Sequence, residues 1–295
     1  MPSHQAASER PRIEARILGE GRGWKVSSFV CRAGPQDRKF EERHDWVAIA
    51  AVVSGTFVYN GATGRHLLHP GALLLGNHGS CFECGHDHSH GDHCIGFQFT
   101  TEVFAEVAAL AGGGTRFTFP TAMVPAGGRT AAAVASAIAG AEAPQRAEEW
   151  ALHLAETVVV HTAGVPATAV SVAPRDERRI SAALRRLEVD YADPIDVEAL
   201  AETARMTKYH FIRTFRRVVG VTPYQFLLET RLRQVARRLA QSAVPVSEAA
   251  LEAGFGDLST FNARFRGRFG MAPTAYRALH ARTLPGGPRR RSLTR

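Results

Sequence analysis

The chain has 295 residues, 45% hydrophobic and 22% charged, enough for two ordinary cores and too apolar for a fully disordered polymer. No apolar run approaches the roughly 18 residues of a membrane span, and the opening MPSHQAASERPRIEAR lacks the apolar stretch of a secretory signal. A cytoplasmic protein without a membrane partner is expected, its four cysteines serving as thiols or metal ligands rather than disulfides. The net charge of +8 is unevenly placed: residues 1–174 hold 13 basic and 16 acidic side chains, whereas residues 175–295 hold 23 and 12, net +11. A basic half beside a near-neutral one points to a polyanion-binding module.

In chain order, strands come first. WKVSSFVCR (24–32), WVAIAAVV (46–53), TFVYN (56–60), ALLLG (72–76) and HCIGFQF (93–99) are short, rich in Val, Ile and Phe, and separated by turn residues such as Ser54-Gly55, Asn60-Gly61 and Pro70-Gly71. Such a series predicts an antiparallel β-barrel or sandwich. Within it, CFECGHDHSHGDHC (81–94) holds three of the four cysteines and four of the thirteen histidines. Thiolate and imidazole donors at this density suit Zn²⁺ or Cu⁺. The candidate ligands are Cys81, Cys84, His86, His93 and Cys94, with Gly85, Gly91 and Asp92 shaping a hairpin loop that brings Cys84 and Cys94 together. The spacing matches no ordinary zinc finger, so thiol redox sensing and a solvated His-rich loop stay open as readings. Cys31 is expected to be a buried strand residue.

Helix-forming segments follow at 101–111, 130–141 and 145–163. In the last, Trp150, Leu154, Val158 and His161 recur at helical spacing, and the stripe Trp150–Leu154–Val158 is expected to join two copies as a homodimer. Gly164 ends that helix, and GVPATAVSVAP (164–174) reads as a linker. The expected domains are therefore 1–163 and 175–284, the second all-α, followed by a disordered basic tail at 285–295.

The basic half repeats itself at an offset of 50. Glu198 matches Glu248, Ala199 Ala249, Ala204 Gly254 and Thr207 Asp257; Phe211 matches Phe261, Phe215 Phe265, Arg216 Arg266, Gly220 Gly270 and Pro223 Pro273. A fixed period signals a duplicated supersecondary unit. Each copy reads as a short helix, a tight turn and a second helix with an N-cap, at Thr207 or Asp257, and a glycine stop; residues 224–240 form a helix joining them. This is the helix-turn-helix plan, whose second helix fits the DNA major groove.

The same residues carry a resemblance. Leu200, Ala201, Met206, Thr207, Tyr209, Phe211, Arg213, Phe215, Arg216, Gly220, Thr222 and Pro223, then Ala250, Gly254, Phe255, Asp257, Ser259, Phe261, Phe265, Phe269, Gly270, Pro273, Tyr276 and Arg277, are similar to the signature of the AraC/XylS family; Ala249 stands where that family more often has Ile. The resemblance implies a bihelical domain that sets two recognition helices into successive major-groove faces on one side of DNA. It also implies transcriptional regulation, most often activation, with an N-terminal sensor or dimerisation domain. The base-reading places fall on Tyr209, Ile212 and Arg213, and on Leu258, Ser259, Asn262 and Ala263; Lys208, Arg217, Arg264 and Arg266 complete the expected DNA-contacting set. Promoter or operator DNA, RNA polymerase and a second copy of the chain are the expected partners.

The N-terminal strands look like the cupin sensor of the same family, on Val52 to Thr56 and on His69, Pro70, Gly71 and Ala72 to Leu75. An enzymatic cupin carries a His-x-His-x₃₋₄-Glu motif near position 44, where this chain has His44 alone, so no catalysis is expected. The readings set against a signal-responsive regulator are a metal-dependent cupin enzyme fused to a DNA-binding domain, and a constitutive DNA-binding protein without effector.

Overall fold

The structure is a computed structural model and describes residues 13–86, 90–127, 130–141, 147–164 and 173–280. Most of the expected linker and all of the 285–295 tail lie outside the described residues. The chain is α+β in two parts, a strand-rich first half and an all-helical second one.

Two antiparallel sheets face one another. The larger holds β1 (Ile13–Gly21), β2 (Trp24–Cys31), β9 (Asp92–Phe99), β4 (Val47–Gly55), β7 (Leu73–Gly76) and β10 (Met123–Val124), in that order. The smaller runs β3 (Phe40–Arg43), β8 (Cys81–Gly85), β5 (Phe57–Gly61), β6 (Gly64–Leu68). Successive side chains on a strand point to opposite faces, and here both faces of the large sheet are covered. Val52, Leu74 and Cys94 point into the barrel with Phe57, Tyr59, Leu68 and Cys84 of the small sheet. Ile49, Ala51, Leu73, Ile95 and Phe97 point outward, against α1 (Thr101–Leu110), α2 (Ala131–Ala141) and α3 (Ala147–Thr162). That double covering explains why 46–53 is apolar throughout instead of alternating. Composition announces none of β1, β3, β6, β8 and β10; of these β1 and β3, at sheet edges, carry charged or exposed residues, a usual protection of sheet margins.

Two expectations are corrected. The segment 81–94 is no hairpin: β8 pairs with β3 and β5, while β9 pairs with β2 and β4, so the chain crosses from one sheet to the other. The stripe on α3 is not a free surface either. Leu154 and Val158 are fully buried in the barrel's own core, and Trp150 packs at its margin.

The helical half contains α4 (Pro174–Val189), α5 (Val197–Thr203), α6 (Lys208–Val219), α7 (Pro223–Gln241), α8 (Val246–Glu252), α9 (Leu258–Phe269) and α10 (Pro273–His280). Phe211 and Phe215 of α6 pack with α4 and α5; Phe261, Phe265 and Phe269 of α9 pack with α7, α8 and Tyr276. The repeat offset proves to be 49 in the first helix of each unit and 50 in the second. Met206 N–H donates to the Ala201 carbonyl as Phe255 N–H does to Ala250, and Arg205 N–H to Glu202 as Gly254 N–H to Leu251. Arg205, at φ +53°, therefore holds the left-handed position that Gly254 holds at φ +84°, and the second turn carries one extra residue, Gly256.

This pairing gives a stability test. A Cβ on Gly254 would meet the Ala192 carbonyl oxygen at 2.4 Å in a backbone region costing L-residues roughly 1–2 kcal/mol. Gly254→Ala is expected to lose about 2 kcal/mol or more, whereas Arg205→Gly, which relieves the same conformation, is expected to be neutral or stabilising in denaturant titrations.

Candidate nucleic-acid interface

Helix α6 has a strongly two-sided sequence. Phe211, Thr214, Phe215, Val218 and Val219 are buried, while Tyr209, Arg213 and Arg216 are exposed. With 3.6 residues per turn the exposed three fall on one stripe. Tyr209 is 85% exposed, an aromatic presented to solvent at the start of the helix. Gly220 closes α6 at φ +88°. Thr207 occupies the N-cap position without a side-chain bond to the helix, so the first turn keeps free N–H groups, suited to an anion such as phosphate. In α9 Asp257 does cap: its carboxylate accepts from Ser259 N–H at 3.2 Å and Thr260 N–H at 2.7 Å. Thr260 and Ser259 thereby hold that carboxyl below its usual range.

The remaining expected contacts are sorted by geometry. Ser259, Asn262, Ala263 and Arg266 share the exposed face of α9, with Leu258 at its edge. Arg264 is exposed as well, but two residues from Arg266 it points about 200° away around the helix, off the face that Arg266 shares. Ile212 is half-buried and packs on the core beneath. Two basic residues are engaged already: Lys208 Nζ donates to Glu198 at 3.1 Å and an Arg217 N–H to Asp176 at 2.6 Å. Arg216 is not among the expected DNA-contacting residues, yet it lies on the same stripe as Tyr209 and Arg213, one turn beyond Arg213, and forms no ion pair among the described residues.

What holds the two units together was not legible. Arg231 of α7 donates to three backbone carbonyls: Tyr191 at 2.6 Å, Asp193 at 2.9 Å and Gly254 at 2.8 Å. One guanidinium thus ties the approach to the first unit to the turn of the second.

The barrel docks on the first unit through the outer face of its small sheet. Val58 and Leu67 share one core with Ile180, Leu184, Phe211 and Phe215. Arg65 of β6 grips the fully buried Glu177 of α4 with two nitrogens, at 2.9 and 2.8 Å. His69 is fully buried between two carbonyls, its Nε2 3.2 Å from that of Val219 at the end of α6 and its Nδ1 3.4 Å from that of Pro70. Burial pushes His69 down to about 4, so the ring is neutral. Between the large sheet, α2 and α7 lies a cavity of about 520 Å³. Glu188, Glu229, Arg233 and Arg268 are among its polar lining residues. Arg268 pairs with Glu229, Arg233 donates to Thr230 Oγ1 at 3.1 Å, and burial raises Glu188 to about 7.

The candidate metal ligands separate. Cys81 is exposed; three residues from Cys84 on one strand, it points to the opposite face. His93 lies on the outer face of β9, bonded to Ser28 Oγ at 2.9 Å and lining the cavity. Cys84, His86 and Cys94 are buried inside the barrel, and Cys31 and Asp92 join them there. Cys31 was legible as a buried strand residue; its company was not, because the β2–β9 register that sets it opposite Asp92 is a long-range pairing.

Comparison with known proteins agrees with the repeat. The family described as "Helix-turn-helix domain" matches residues 200–279. An uncharacterised HTH-type transcriptional regulator, YbfI of Bacillus subtilis, is 32% identical over 39% of this chain and 40% of its own length. The HTH-type transcriptional activator RhaS of Escherichia coli is 30% identical over 32% and 34%. Among solved structures, the DNA-binding domain of the transcriptional factor AdpA, in complex with a target DNA, is 34% identical over 37% of this chain and 98% of that one, with a TM-score of 0.34. The chain spans about a third to two fifths of the length of the first curated relatives it matches.

The domain contact is expected to have two opposed pH limbs. His69, near 4 folded against an ordinary 6.5, leaves the unfolded chain the better proton binder between those values. Its contribution is complete above pH 6.5 and lost as pH falls toward 4. Glu188, near 7 folded against 4.5, makes the folded chain the better binder, so its contribution is complete below pH 4.5 and lost as pH rises through 7. Thermal melts across pH 4–8 should show His69→Gln flattening the acid limb and Glu188→Gln the neutral one.

Proposed function

We propose that this chain, whose residues 200–279 match a helix-turn-helix domain, is a sequence-specific transcriptional regulator of the AraC/XylS kind, an activator in its commonest mode, whose N-terminal barrel responds to a signal. The observation that carries the reading is the pair of exposed helix faces, Tyr209–Arg213–Arg216 and Ser259–Asn262–Ala263–Arg266, fixed on one frame. Helix α7, with 19 residues, spans roughly 28 Å, on the order of the 34–36 Å between successive major-groove faces of DNA. Arginines meet phosphate and guanine edges, the Ser and Asn hydrogen-bond base edges, and Leu258 and Ala263 suit thymine methyl groups.

The barrel's contribution is regulatory rather than catalytic in this reading. His44, where a cupin enzyme would begin its metal motif, stacks on Phe82 at 4.3 Å between ring centres and bonds the Tyr59 hydroxyl at 3.1 Å. Burial lowers it to about 4, and its neighbours are aromatic. The barrel's direct seat on α4 and α6 gives any change of barrel shape a short path to the first recognition helix. A homodimer remains part of the proposal, through a face other than the α3 stripe.

The test is selection of duplexes from random sequence by the full chain, followed by affinity measurements. A consensus with two blocks about one helical turn apart is expected, with binding that weakens steeply as salt rises. Arg213→Ala should lose about 1–3 kcal/mol on the consensus and much less on unrelated DNA, while Arg264→Ala, on the flank, should weaken both alike. Absence of any enriched consensus at low salt would overturn the reading.

A further inference from the structure

Inside the barrel lies a cluster that neither DNA recognition nor packing accounts for. Cys31 ends β2 and stands opposite Asp92 on β9. Cys94, two residues on, shares its face, and Cys84 points inward from the opposing sheet beside Tyr59. His86, 4% exposed, follows β8. Its Nδ1 is 4.0 Å from Cys31 Sγ and its Nε2 2.7 Å from Asp92 Oδ1. Cys94 Sγ is 3.1 Å from Asp92 Oδ2. Donor atoms of Cys31, His86 and Asp92 all lie within 4.8 Å of one another, Cys84 and Cys31 both act electrostatically on Cys94, and all four cysteines are free. The floor around them is Val52, Phe57 and Leu68. Leu or Val would fill that floor without burying an imidazole and a carboxylate, whose desolvation their 2.7 Å pairing offsets only in part.

We propose that Cys31, His86 and Cys94, with Cys84 as fourth donor, bind one thiolate-preferring d¹⁰ cation, Zn²⁺ or Cu⁺, and that Asp92 is the residue that positions His86. Nε2 faces Asp92 Oδ1, so Nδ1, once deprotonated, offers its lone pair toward Cys31, the arrangement in which a carboxylate orients a ligating imidazole. A cation about 2.3 Å from sulfur and 2.0–2.1 Å from nitrogen sets a tetrahedral S···N edge near 3.6 Å, so the 4.0 Å gap between Cys31 and His86 needs only a small closure, while Cys94, now bonded to Asp92, and Cys84 turn toward the ion. Each thiol that ligates, and His86 Nδ1 where it is protonated, releases its proton to solvent, and no oxidant or reductant is consumed. The ligand set differs from the sequence-level one in gaining Cys31 and losing Cys81 and His93. Its regulatory meaning rests on the function proposed above. Asp92 and Cys94 lie on the inner face of β9, whereas His93 and Ile95, on the outer face, line the cavity against the DNA-binding half. An ion that fixes β9 therefore fixes one wall of that cavity.

The experiment uses the reduced full-length chain. Zn²⁺ is titrated against a chromophoric chelator and Cu⁺ against a Cu⁺-specific one, with Co²⁺ absorption as the probe of thiolate ligation. One equivalent per chain is expected, with thiolate-to-cobalt charge transfer and proton release that weakens binding at low pH. Cys31→Ser and Cys94→Ser should each weaken binding at least 100-fold and Asp92→Asn 10–100-fold, while Cys81→Ser and His93→Gln leave it unchanged. Far-ultraviolet circular dichroism of each variant separates loss of the site from loss of the fold. No stoichiometric binding of either cation, full binding by a folded Cys31→Ser variant, or loss of binding in Cys81→Ser would overturn the site. Metal binding without any change in affinity for the selected duplex would leave the site standing and overturn its regulatory role; failure to select a duplex at all would strike the functional reading and leave the metal result intact.

Discussion

A duplicated DNA-reading unit is useful only if its two copies keep a fixed separation, and here that constraint falls largely on Arg231. Its guanidinium spends its donors on the carbonyls of Tyr191, Asp193 and Gly254, groups in two loops that would otherwise face solvent or lie unpaired. A hydrogen bond from a charged donor contributes more than a neutral one, and three on one planar fork fix orientation as well as distance. The left-handed turn at Gly254 places its carbonyl within that fork, and the long helix α7, held at its start by the Thr222–Gln225 capping box, carries the fork to it. Loss of any one of these would let the units hinge.

The barrel attaches to this frame with an economy that follows from sheet geometry. Each sheet has two faces, and both faces of both sheets find partners: the inner faces meet each other, the large sheet's outer face takes α1, α2 and α3, and the small sheet's outer face takes the first unit. The core of the first unit therefore takes in Val58 and Leu67 of the barrel, beside the ion pair Arg65–Glu177. Breaking one partner of such a pair strands a buried charge, so the halves are expected to separate reluctantly and to move, where they move, around the cavity on the other side.

Much of this was visible in the residues. The helix-turn-helix units announced themselves because Phe211, Phe215, Phe261, Phe265 and Phe269 recur at helical spacing and the caps and stops are local. The strands with continuous apolar runs were visible for the same reason. What escaped depends on pairings between distant segments. No local signal says that β8 and β9 belong to different sheets, that Cys31 meets Asp92, or that an arginine in an arginine-rich helix has three carbonyls waiting for it. The single-residue lengthening of the second turn was hidden because an offset of 50 aligns the aromatic helices so well that it absorbs the mismatch before them.

Strand β9 serves two masters through its alternation alone: residues 92 and 94 face the barrel's interior and 93 and 95 face the wall toward the helical half. Only one thickness of backbone separates them. A gain or loss of a single residue here would exchange the two sets wholesale, placing histidine and isoleucine among the thiols and the acid and cysteine against the helices. The strand can thus diverge between descendants by substitution, one side at a time, but not by length. Both faces are inherited together, and the loops before and after β9 are where insertions can accumulate.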